Sequence, residues 1–580
     1  MAVALQPSFL SPDPNPFRII GKGIQAVVLC ATMSVVSAQD LARIGSEKPF
    51  NWGGSLSLTG GPYFYSGDGS PRNQPYWWSA NGSVGFHLYG VHVPVSFNIG
   101  PQAHSFSQPF NRYGMSPYYK WAKLHVGYRS LRFNPYTLSG LQFLGAAIEL
   151  EPKGFRFAAF YGRFNKPVAQ DTLATITPIP AYRRIGYGVK IGVGGPRNFM
   201  DLMVFHAHDD TTSISDPQNG RVTPMENLAV GLSGRVGITR RISWQYDLGA
   251  SVLTEDIRAQ RLNDPDIPDP NSLLFTVRIG SKALFAGNTS IAYTGRVFSL
   301  RAQYKQVDPG YRSLGAYYQQ SDLRSLTLEP TLRLWRNKLR ISGSIGQQRD
   351  NLYNQKLATS VRTIGMGSIS VNPSGSYGID LSVTNYGIAQ EAGLRALADT
   401  FRVAQVNRGA TLSQRFNRSN SVRTIVVSLT GGLQELQDLN PFGTYATSEN
   451  EVLFGNLYIS RIRMRDNLAL SGGLNFSRNT TAVGEYMLMG PTLGYSIPLF
   501  KTKLNHSLNG SWNRALRDGT SAGSTVNLNA SFQYRVSAAH RFQLSVNMLQ
   551  NTTTFVSSST FTEVRVIAGY VLVFQPRTAT

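Results

Sequence analysis

The stretch from Thr525 to Val536 reads TVNLNASFQYRV, and its side chains alternate between polar and apolar. Successive side chains of a β-strand point to opposite faces, so this segment would have one polar and one apolar face. After a short break, the stretch from Arg541 to Met548 repeats the pattern as RFQLSVNM. Together the two stretches predict a β-hairpin whose apolar face meets either a protein core or lipid.

The length of the alternating segments distinguishes these two surroundings. Similar alternation covers Ile242 to Val252 and Leu326 to Leu334. Runs of about ten residues match tilted strands that cross a membrane, whereas the strands of soluble proteins are commonly about five or six residues long. The alternation therefore predicts transmembrane strands rather than a soluble sandwich.

Short and long connections alternate between these segments. Short turns are predicted at 151–154, 195–197, 239–240, 336–337, 372–375, 465–466 and 537–540. Longer polar loops are predicted at 164–182, 208–225, 254–270, 308–323, 387–407 and 432–451, with a short amphipathic helix over 389–406 as an alternative. The chain is thus predicted to be all-β, a transmembrane antiparallel up-and-down β-barrel of about 22–26 strands with short periplasmic turns and long extracellular loops.

This barrel is predicted to span residues 53–574, with both termini in the periplasm. Residues 1–38 have the layout of a secretory signal, because Arg18 and Lys22 precede an apolar stretch that ends in small residues. Residues 39–52 are expected to form a short periplasmic segment, and residues 575–580 a C-terminal tail. The single cysteine, Cys30, lies inside the predicted signal, so the exported chain would form no disulfide.

The composition is low in charged residues but strongly basic. Charged residues make up 15% of the 580 residues, against about 25% in ordinary soluble domains. Lys and Arg outnumber Asp and Glu by 56 to 33, which gives a formal net charge of +23. Such an excess indicates an anionic partner or solute. Export excludes nucleic acid as that partner.

Strand parity identifies which charges would face the barrel interior. Ten basic residues fall on the polar face of predicted strands: Arg156, Lys190, Arg235, Arg278, Arg301, Lys305, Arg333, Arg340, Arg535 and Arg565. Five acidic residues share that face: Glu149, Asp247, Glu329, Asp380 and Glu563. Either the basic side chains favour anions in a pore, or they pair with the carboxylates and stiffen the wall. Five tryptophans are expected at the membrane interfaces: Trp77, Trp78, Trp121, Trp244 and Trp512.

The sequence also offers a few residues of the types that bind metals. His206 and His208 would share one strand face, and Asp264, Asp266 and Asp269 stand in a proline-rich loop that offers oxygen ligands for Ca²⁺. These five residues are the candidate metal ligands, and no cofactor is predicted. The sequence has no Gly-x-Ser-x-Gly elbow in a strand-to-helix context and no P-loop, so no enzyme is predicted. An outer-membrane hydrolase is kept as a further alternative.

The end of the chain carries a resemblance to a known class. Val564, Val566, Ala568, Tyr570, Leu572 and Phe574 form an aromatic-ended strand, and with the hairpins above it the chain resembles Gram-negative outer-membrane β-barrel proteins. The segment Tyr118-Tyr119-Lys120-Trp121 is similar to uncharacterised barrels of Bacteroidota. The resemblance implies insertion by the barrel-assembly machinery and contact with outer-membrane lipid and lipopolysaccharide.

Two functions follow as hypotheses. The first is a porin-like channel or gated transporter that passes anionic solutes through a basic lumen. The second is a non-transporting barrel subunit of an envelope assembly, such as a secretion or surface-export complex. An open barrel of this size would be a large hole, so either the long loops fold inward or a partner fills the lumen.

Overall fold

The computed structural model describes residues 50–101, 107–108, 110–170, 179–215, 222–262, 274–317, 320–356, 358–392, 404–438, 449–554 and 560–574. The predicted signal peptide, most of the predicted periplasmic segment and the C-terminal tail lie outside these ranges. No helix within the described part is long and apolar enough to cross a membrane.

Alternating side chains build strands along the whole described chain. The first half contains β1 (Phe50–Gly67), β2 (Tyr76–Leu88), β3 (Val91–Ile99), β4 (Arg112–Met115), β5 (Tyr118–Tyr119), β6 (Ala122–Arg132), β7 (Leu138–Leu150), β8 (Phe155–Asn165), β9 (Arg183–Gly194), β10 (Phe199–Asp210), β11 (Glu226–Val236), β12 (Ile242–Thr254), β13 (Lys282–Thr294) and β14 (Phe298–Val307).

The second half continues the same pattern with strands that are often longer. It contains β15 (Gly315–Ala316), β16 (Leu323–Leu334), β17 (Leu339–Arg349), β18 (Ala358–Ser374), β19 (Tyr377–Ala392), β20 (Ala404–Ser419), β21 (Arg423–Asp438), β22 (Asn450–Arg463), β23 (Leu468–Thr481), β24 (Gly484–Leu499), β25 (Leu504–Arg517), β26 (Thr520–Arg535), β27 (His540–Thr553) and β28 (Phe561–Phe574).

The strands close into one barrel. Wall strands pair antiparallel with their neighbours along the chain, and β28 pairs with β1, with Tyr570 opposite Leu58. The short strands β4 and β5 both lie between β3 and β6, so they form one interrupted wall strand. β14 pairs directly with β16, which leaves β15 outside the wall. The described wall therefore has 26 strands, within the predicted range.

The two ends of the barrel differ in their connections. At one end, here called the short-turn end, the connections have two to five residues, and both Phe50 and Phe574 lie there. The other end, here called the long-loop end, carries connections of up to 27 residues (255–281). Two connections at that end, 482–483 and 518–519, are tight turns. The predicted contrast between the ends is thus present, but it is lost over β23–β26.

Several predicted boundaries were wrong. β1 already includes residues 50–52, three residues ahead of the predicted start of the barrel at residue 53. β19 continues to Ala392 and β20 starts at Ala404, and backbone pairing extends through residues that were predicted to form a loop. The ends of the alternative helix over 389–406 are therefore strand, while residues 393–403 lie outside the described residues.

Candidate functional site

The strand register keeps the two faces of the wall distinct around the barrel. On one face large apolar side chains are exposed, including Trp512 at 48% and Leu528 at 42%. Tyr63 on β1 and Tyr458 on β22 lie on the opposite face and border one cavity, although six strands separate them in the wall. Only the concave face of a barrel allows this, so the polar face is the inner one. An apolar outer face on a closed barrel is the architecture that spans outer membranes.

Loop residues cover the inner face of β7–β14 in the half nearest the long-loop end, where inward residues such as Phe205, Ala229 and Val307 are fully buried. Residues 308–322 follow β14, and their strand β15 pairs in parallel with the beginning of β7, with Gly315 opposite Leu138. Residues 133–137, which connect β6 to β7, lie beneath this loop. We call β7–β14 together with these two loops the filled sector. The expectation that long loops fold inward is met by the described residues of this loop, 308–317 and 320–322.

Buried hydrogen bonds tie the two loops together. The Tyr311 hydroxyl donates to the Tyr136 carbonyl oxygen at 2.7 Å, and the Ser313 hydroxyl donates to the Thr137 carbonyl oxygen at 2.5 Å. Asn134 stabilises the turn of the 133–137 loop, because its Oδ1 accepts hydrogen bonds from the backbone N–H groups of Tyr136 and Thr137. Burial raises the pKa of the Tyr311 hydroxyl, so it stays a neutral donor at any physiological pH.

Side chains of the barrel wall also form hydrogen bonds with the 308–322 loop. The backbone N–H of Leu314 donates to Asn227 Oδ1 at 3.0 Å, and Asn227 Nδ2 donates to the Ser251 hydroxyl at 2.7 Å. The Ser251 hydroxyl in turn donates to the Arg312 carbonyl oxygen at 2.7 Å. Asn227 and Ser251 are both buried. Their polar groups therefore depend on the loop for partners that water would otherwise supply.

An aromatic cluster lies under Leu314. It is formed by inward side chains of β7, β8 and β10: Phe143, Phe160, Phe164 and Phe205. A Cβ at Gly315 would come within 2.7 Å of both the Phe205 ring and the Thr137 carbonyl oxygen. Only glycine lets the loop approach the wall this closely.

A second part of the lumen is lined by amide and hydroxyl groups. Here the inner face of β22–β28 and β1 borders a cavity of about 550 Å³. Asn509, Asn529 and Asn547 are directly opposite one another on β25, β26 and β27, and Ser471, Thr492 and Ser511 lie beside them in the cavity wall. We call β22–β28 and β1 the open sector.

Nine of the ten predicted basic residues lie on the inner face, whereas Arg278 does not. Arg278 was predicted on a strand, but it lies in the 255–281 connection, outside the named strands, where its guanidinium donates to the Ala259 carbonyl oxygen at 3.0 Å. The acidic side chains that were expected to share the inner face do so by register, as Glu329 opposite Arg301 illustrates.

Carboxylates pair with only two of these nine residues within the described part of the chain. Arg156 binds Asp201 with Nη2 to Oδ1 at 2.6 Å, and Arg301 Nη1 lies 3.9 Å from Glu329 Oε2. Lys190 and Arg565 instead lie over the rings of Phe133 and Trp77. The remaining five show no ion pair among the described residues: Arg235, Lys305, Arg333, Arg340 and Arg535. Pairing across the wall thus accounts for a minority of the inward cations.

Two pairs of arginines are directly opposite each other at the short-turn end. Arg333 is opposite Arg340 across the 335–338 turn, and Arg535 is opposite Arg541 across the 536–539 turn. Like charges in this position destabilise a sheet, and none of the four has an ion pair with a described carboxylate. Arg415 on β20 also faces inward from the same half of the barrel. Arg415 and Arg541 were not among the sequence candidates, although strand parity could have found them.

The short turns add further positive charge to this end. Eleven basic residues occur in them: Lys120, Lys153, Arg197, Arg240, Arg241, Arg296, Arg336, Lys338, Arg465, Lys501 and Lys503. Two acidic residues accompany them, Glu151 and Asp466, and Asp466 is paired with Arg463. In the described connections of the long-loop end, acidic and basic residues are nearly balanced. The barrel therefore has one strongly basic end.

The candidate metal ligands do not converge on a site within the described residues. His206 and His208 lie on the outer face near the long-loop end, where His206 Nε2 is 3.1 Å from Glu226 Oε1. The described residues contain no group of three or more His, Cys, Asp or Glu side chains placed to hold a metal. Asp264, Asp266 and Asp269 lie outside the described residues.

Trp77 is a correction to the predicted aromatic belt. It is opposite Gly61 on the inner face, with the Arg565 guanidinium 4.5 Å from its ring centroid. Trp78 and Trp244 are on the outer face, where they are 38% and 40% exposed. Those two positions fit the interface belt that was predicted, whereas Trp77 belongs to the lumen.

Comparisons with known proteins give barrels of several kinds. No protein-family model matches the sequence, and no curated protein matches it. The siderophore receptor PirA of Pseudomonas aeruginosa is similar with a TM-score of 0.39 and 9% identity, over 91% of this chain and 81% of that one. OccK11 (OpdR) of the same organism has a TM-score of 0.29 and 10% identity, over 90% and 96%. The P pilus usher (PapC) translocation pore has a TM-score of 0.26 and 12% identity, over 92% and 99%.

Proposed function

We propose that this protein is an outer-membrane channel or gated transporter that passes small solutes through the open sector and prefers anions. The two arginine pairs at the short-turn end carry the proposal. Fixed cations that face a lumen without carboxylate partners attract anions and repel cations. Repulsion within each pair destabilises the wall. These arginines are therefore better explained by an action on solutes in the lumen than by a contribution to stability.

The basic short turns strengthen this preference. A mouth lined by one sign of charge raises the local concentration of counter-ions and steers them inward. Because the described connections of the long-loop end are nearly neutral, the electrostatic potential would differ between the two entrances. The short-turn end would therefore be the entrance that selects anions over cations.

The filled sector limits the width of the path. The 308–322 loop covers part of the inner face of the filled sector and is held by hydrogen bonds at both of its faces. A 26-strand barrel without such a covering would leave a wide aqueous channel. The loop thus narrows the path, so that even a barrel of this size could select among solutes.

Conductance of the purified, refolded chain in a planar bilayer under a salt gradient tests the proposal. We expect steady conductance with a reversal potential that favours anions. Replacing Arg333, Arg340, Arg535 and Arg541 with Gln should move that potential toward zero. The matched control is Arg418→Gln with Arg461→Gln, since both arginines lie on the outer face of the same half of the barrel.

Two results would contradict the proposal. A folded barrel that carries no current would remove the channel, and an unchanged reversal potential in the fourfold variant would remove the role of the arginine pairs. Folding is checked first by the shift in electrophoretic mobility between heated and unheated samples.

A second candidate is a non-transporting barrel subunit of an envelope assembly. The observation that favours it is the ring of basic short turns, which offers an exposed surface to an acidic partner. An electrically silent barrel that binds an acidic envelope protein through Lys501, Lys503 and Arg336 would support this candidate instead.

A further inference from the structure

We propose that the open sector contains a binding site for an uncharged saccharide. The inference rests on the proposed function only in placing this site on the solute path. Its basis is the chemistry of the cavity wall, which differs from that of the basic mouth.

The wall offers paired donors and acceptors in a regular array. Each of the three facing asparagines, Asn509, Asn529 and Asn547, carries an amide N–H₂ donor and a carbonyl acceptor. Ser471, Thr492 and Ser511 add hydroxyls that act in both roles. A sugar hydroxyl also donates and accepts at once, so neighbouring hydroxyls of a saccharide match such an array.

Charge is sparse at this height of the barrel. On β21–β24 no charged side chain faces the cavity among the described residues. The ions at its border are engaged, because Arg72 Nε lies 3.4 Å from Glu563 Oε1 and Arg565 covers the Trp77 ring. A free peptide would bring terminal charges that find no dedicated partner here, whereas a neutral saccharide brings none.

The shape of the wall fits a small ligand. A Cβ at Gly494 would lie 2.3 Å from Asn509 Oδ1 and 2.8 Å from Ser471 Oγ. Glycine at this inward position therefore lets polar groups from β23 and β25 converge above β24. The resulting cavity of about 550 Å³ is within the roughly 300–1,000 Å³ of small-molecule sites.

An adjoining cavity supplies aromatic surface. It measures about 260 Å³ and shares Tyr63, Asn73 and Arg565 with the first. Trp77 lines it, and its indole Nε1–H has no hydrogen-bond partner among the described residues. A ligand oxygen would satisfy this buried donor.

The site is separate from the arginine pairs. Asn547 and Arg541 are six residues apart on β27, a distance of about 20 Å along a strand. Ion selectivity at the mouth and ligand binding at mid-height can therefore be disrupted independently. This separation allows failure of the present inference to be distinguished from failure of the proposed channel.

Maltotriose binding to the intact, refolded protein tests the inference. We expect saturable binding by calorimetry, with little dependence on salt, and at least a tenfold loss of affinity in Asn529→Leu. Gln533→Leu is the matched control, because Gln533 is on the same strand and face but outside the cavity. If Asn529→Leu does not fold, Asn509→Ser replaces the amide with a shorter hydroxyl and should still weaken binding.

Three outcomes would overturn the inference. They are no saturable binding of maltotriose to the wild type, equal loss in Asn529→Leu and Gln533→Leu, or preferred binding of a blocked neutral tripeptide. The arginine variants should leave maltotriose affinity unchanged. If they abolish it, the site is part of the basic mouth and the saccharide assignment is wrong.

Discussion

In the filled sector the inner wall is covered by loop residues, whereas in the open sector it borders a cavity. The strands themselves show the difference. The middle inward positions of β10 carry Met203, Phe205 and Ala207, so the inner face of this strand is apolar between Asp201 and Asp209. The inward positions of β26 carry Asn527 and Asn529, so only its outer face is apolar. An apolar stretch on an inner face is stabilised when it is covered, and Leu314 of the 308–322 loop packs on this one.

The inward side chains of the two sectors also differ in what they contribute. In the filled sector, contacts between residues far apart in sequence, such as Tyr311 and Tyr136, fix the loop on the wall. In the open sector, the strands are held mainly by backbone pairing and by cross-strand contacts such as Asn529 with Asn547. We therefore expect substitutions of inward residues to affect stability in the first sector and solutes in the second.

Removing the contacts of the 308–322 loop, the covering loop of the filled sector, should have the largest effect on the channel. Replacing residues 310–316 with a Gly-Ser segment of equal length eliminates the hydrogen bonds of Tyr311 and Ser313 and the contact of Leu314 with the aromatic cluster. We expect single-channel conductance to rise by a factor of roughly two or more, because more of the lumen then holds water. The same replacement over residues 211–215, also at the long-loop end, is the control. Unchanged conductance would show that the loop does not limit the path.

Truncating the aromatic cluster should have the next largest effect. Phe205→Ala removes a fully buried ring and leaves a cavity, which costs about 3–5 kcal/mol in the free energy of unfolding. Phe532→Ala on the lipid-facing side of the open sector should cost less, because lipid fills the space. Urea-induced unfolding in detergent micelles measures both. Equal losses would contradict the distinction between the sectors.

Acid should loosen the covering loop more modestly. Burial alone would raise the pKa of Asp322, but hydrogen bonds from Lys356 and from the backbone N–H of Leu352 bring it below its ordinary value. A carboxyl with a lowered pKa stabilises the folded state above its unfolded pKa, near ~3.9, and this stabilisation is lost as the pH falls through the folded value.

Hydrogen exchange can measure this loss. Protection factors of amides in residues 308–322 should fall below about pH 4, and Asp322→Asn should show the lowered protection already at neutral pH. Asp518→Asn, at a tight turn of the open sector, should leave these amides unchanged. Protection of the loop that is independent of pH in the wild type would rule out the Asp322–Lys356 contact as its anchor.

The sequence by itself determined the barrel, because a period of two along strands of membrane-spanning length has one stable arrangement in lipid: a closed sheet. Parity also placed nine of ten basic candidates on the inner face, since the register of antiparallel neighbours preserves parity around the wall. Parity failed at Arg278, where the chain leaves the sheet and no longer alternates.

Only the tertiary structure decided which part of the lumen is covered. The partners of Tyr311 and Ser313 lie about 175 residues earlier in the chain, and no local pattern encodes a contact over that separation. The same holds for Trp77, whose inward position depends on its pairing with Gly61 rather than on its residue type. Alternation fixes the faces of each strand, whereas the closure of the barrel decides what each face meets.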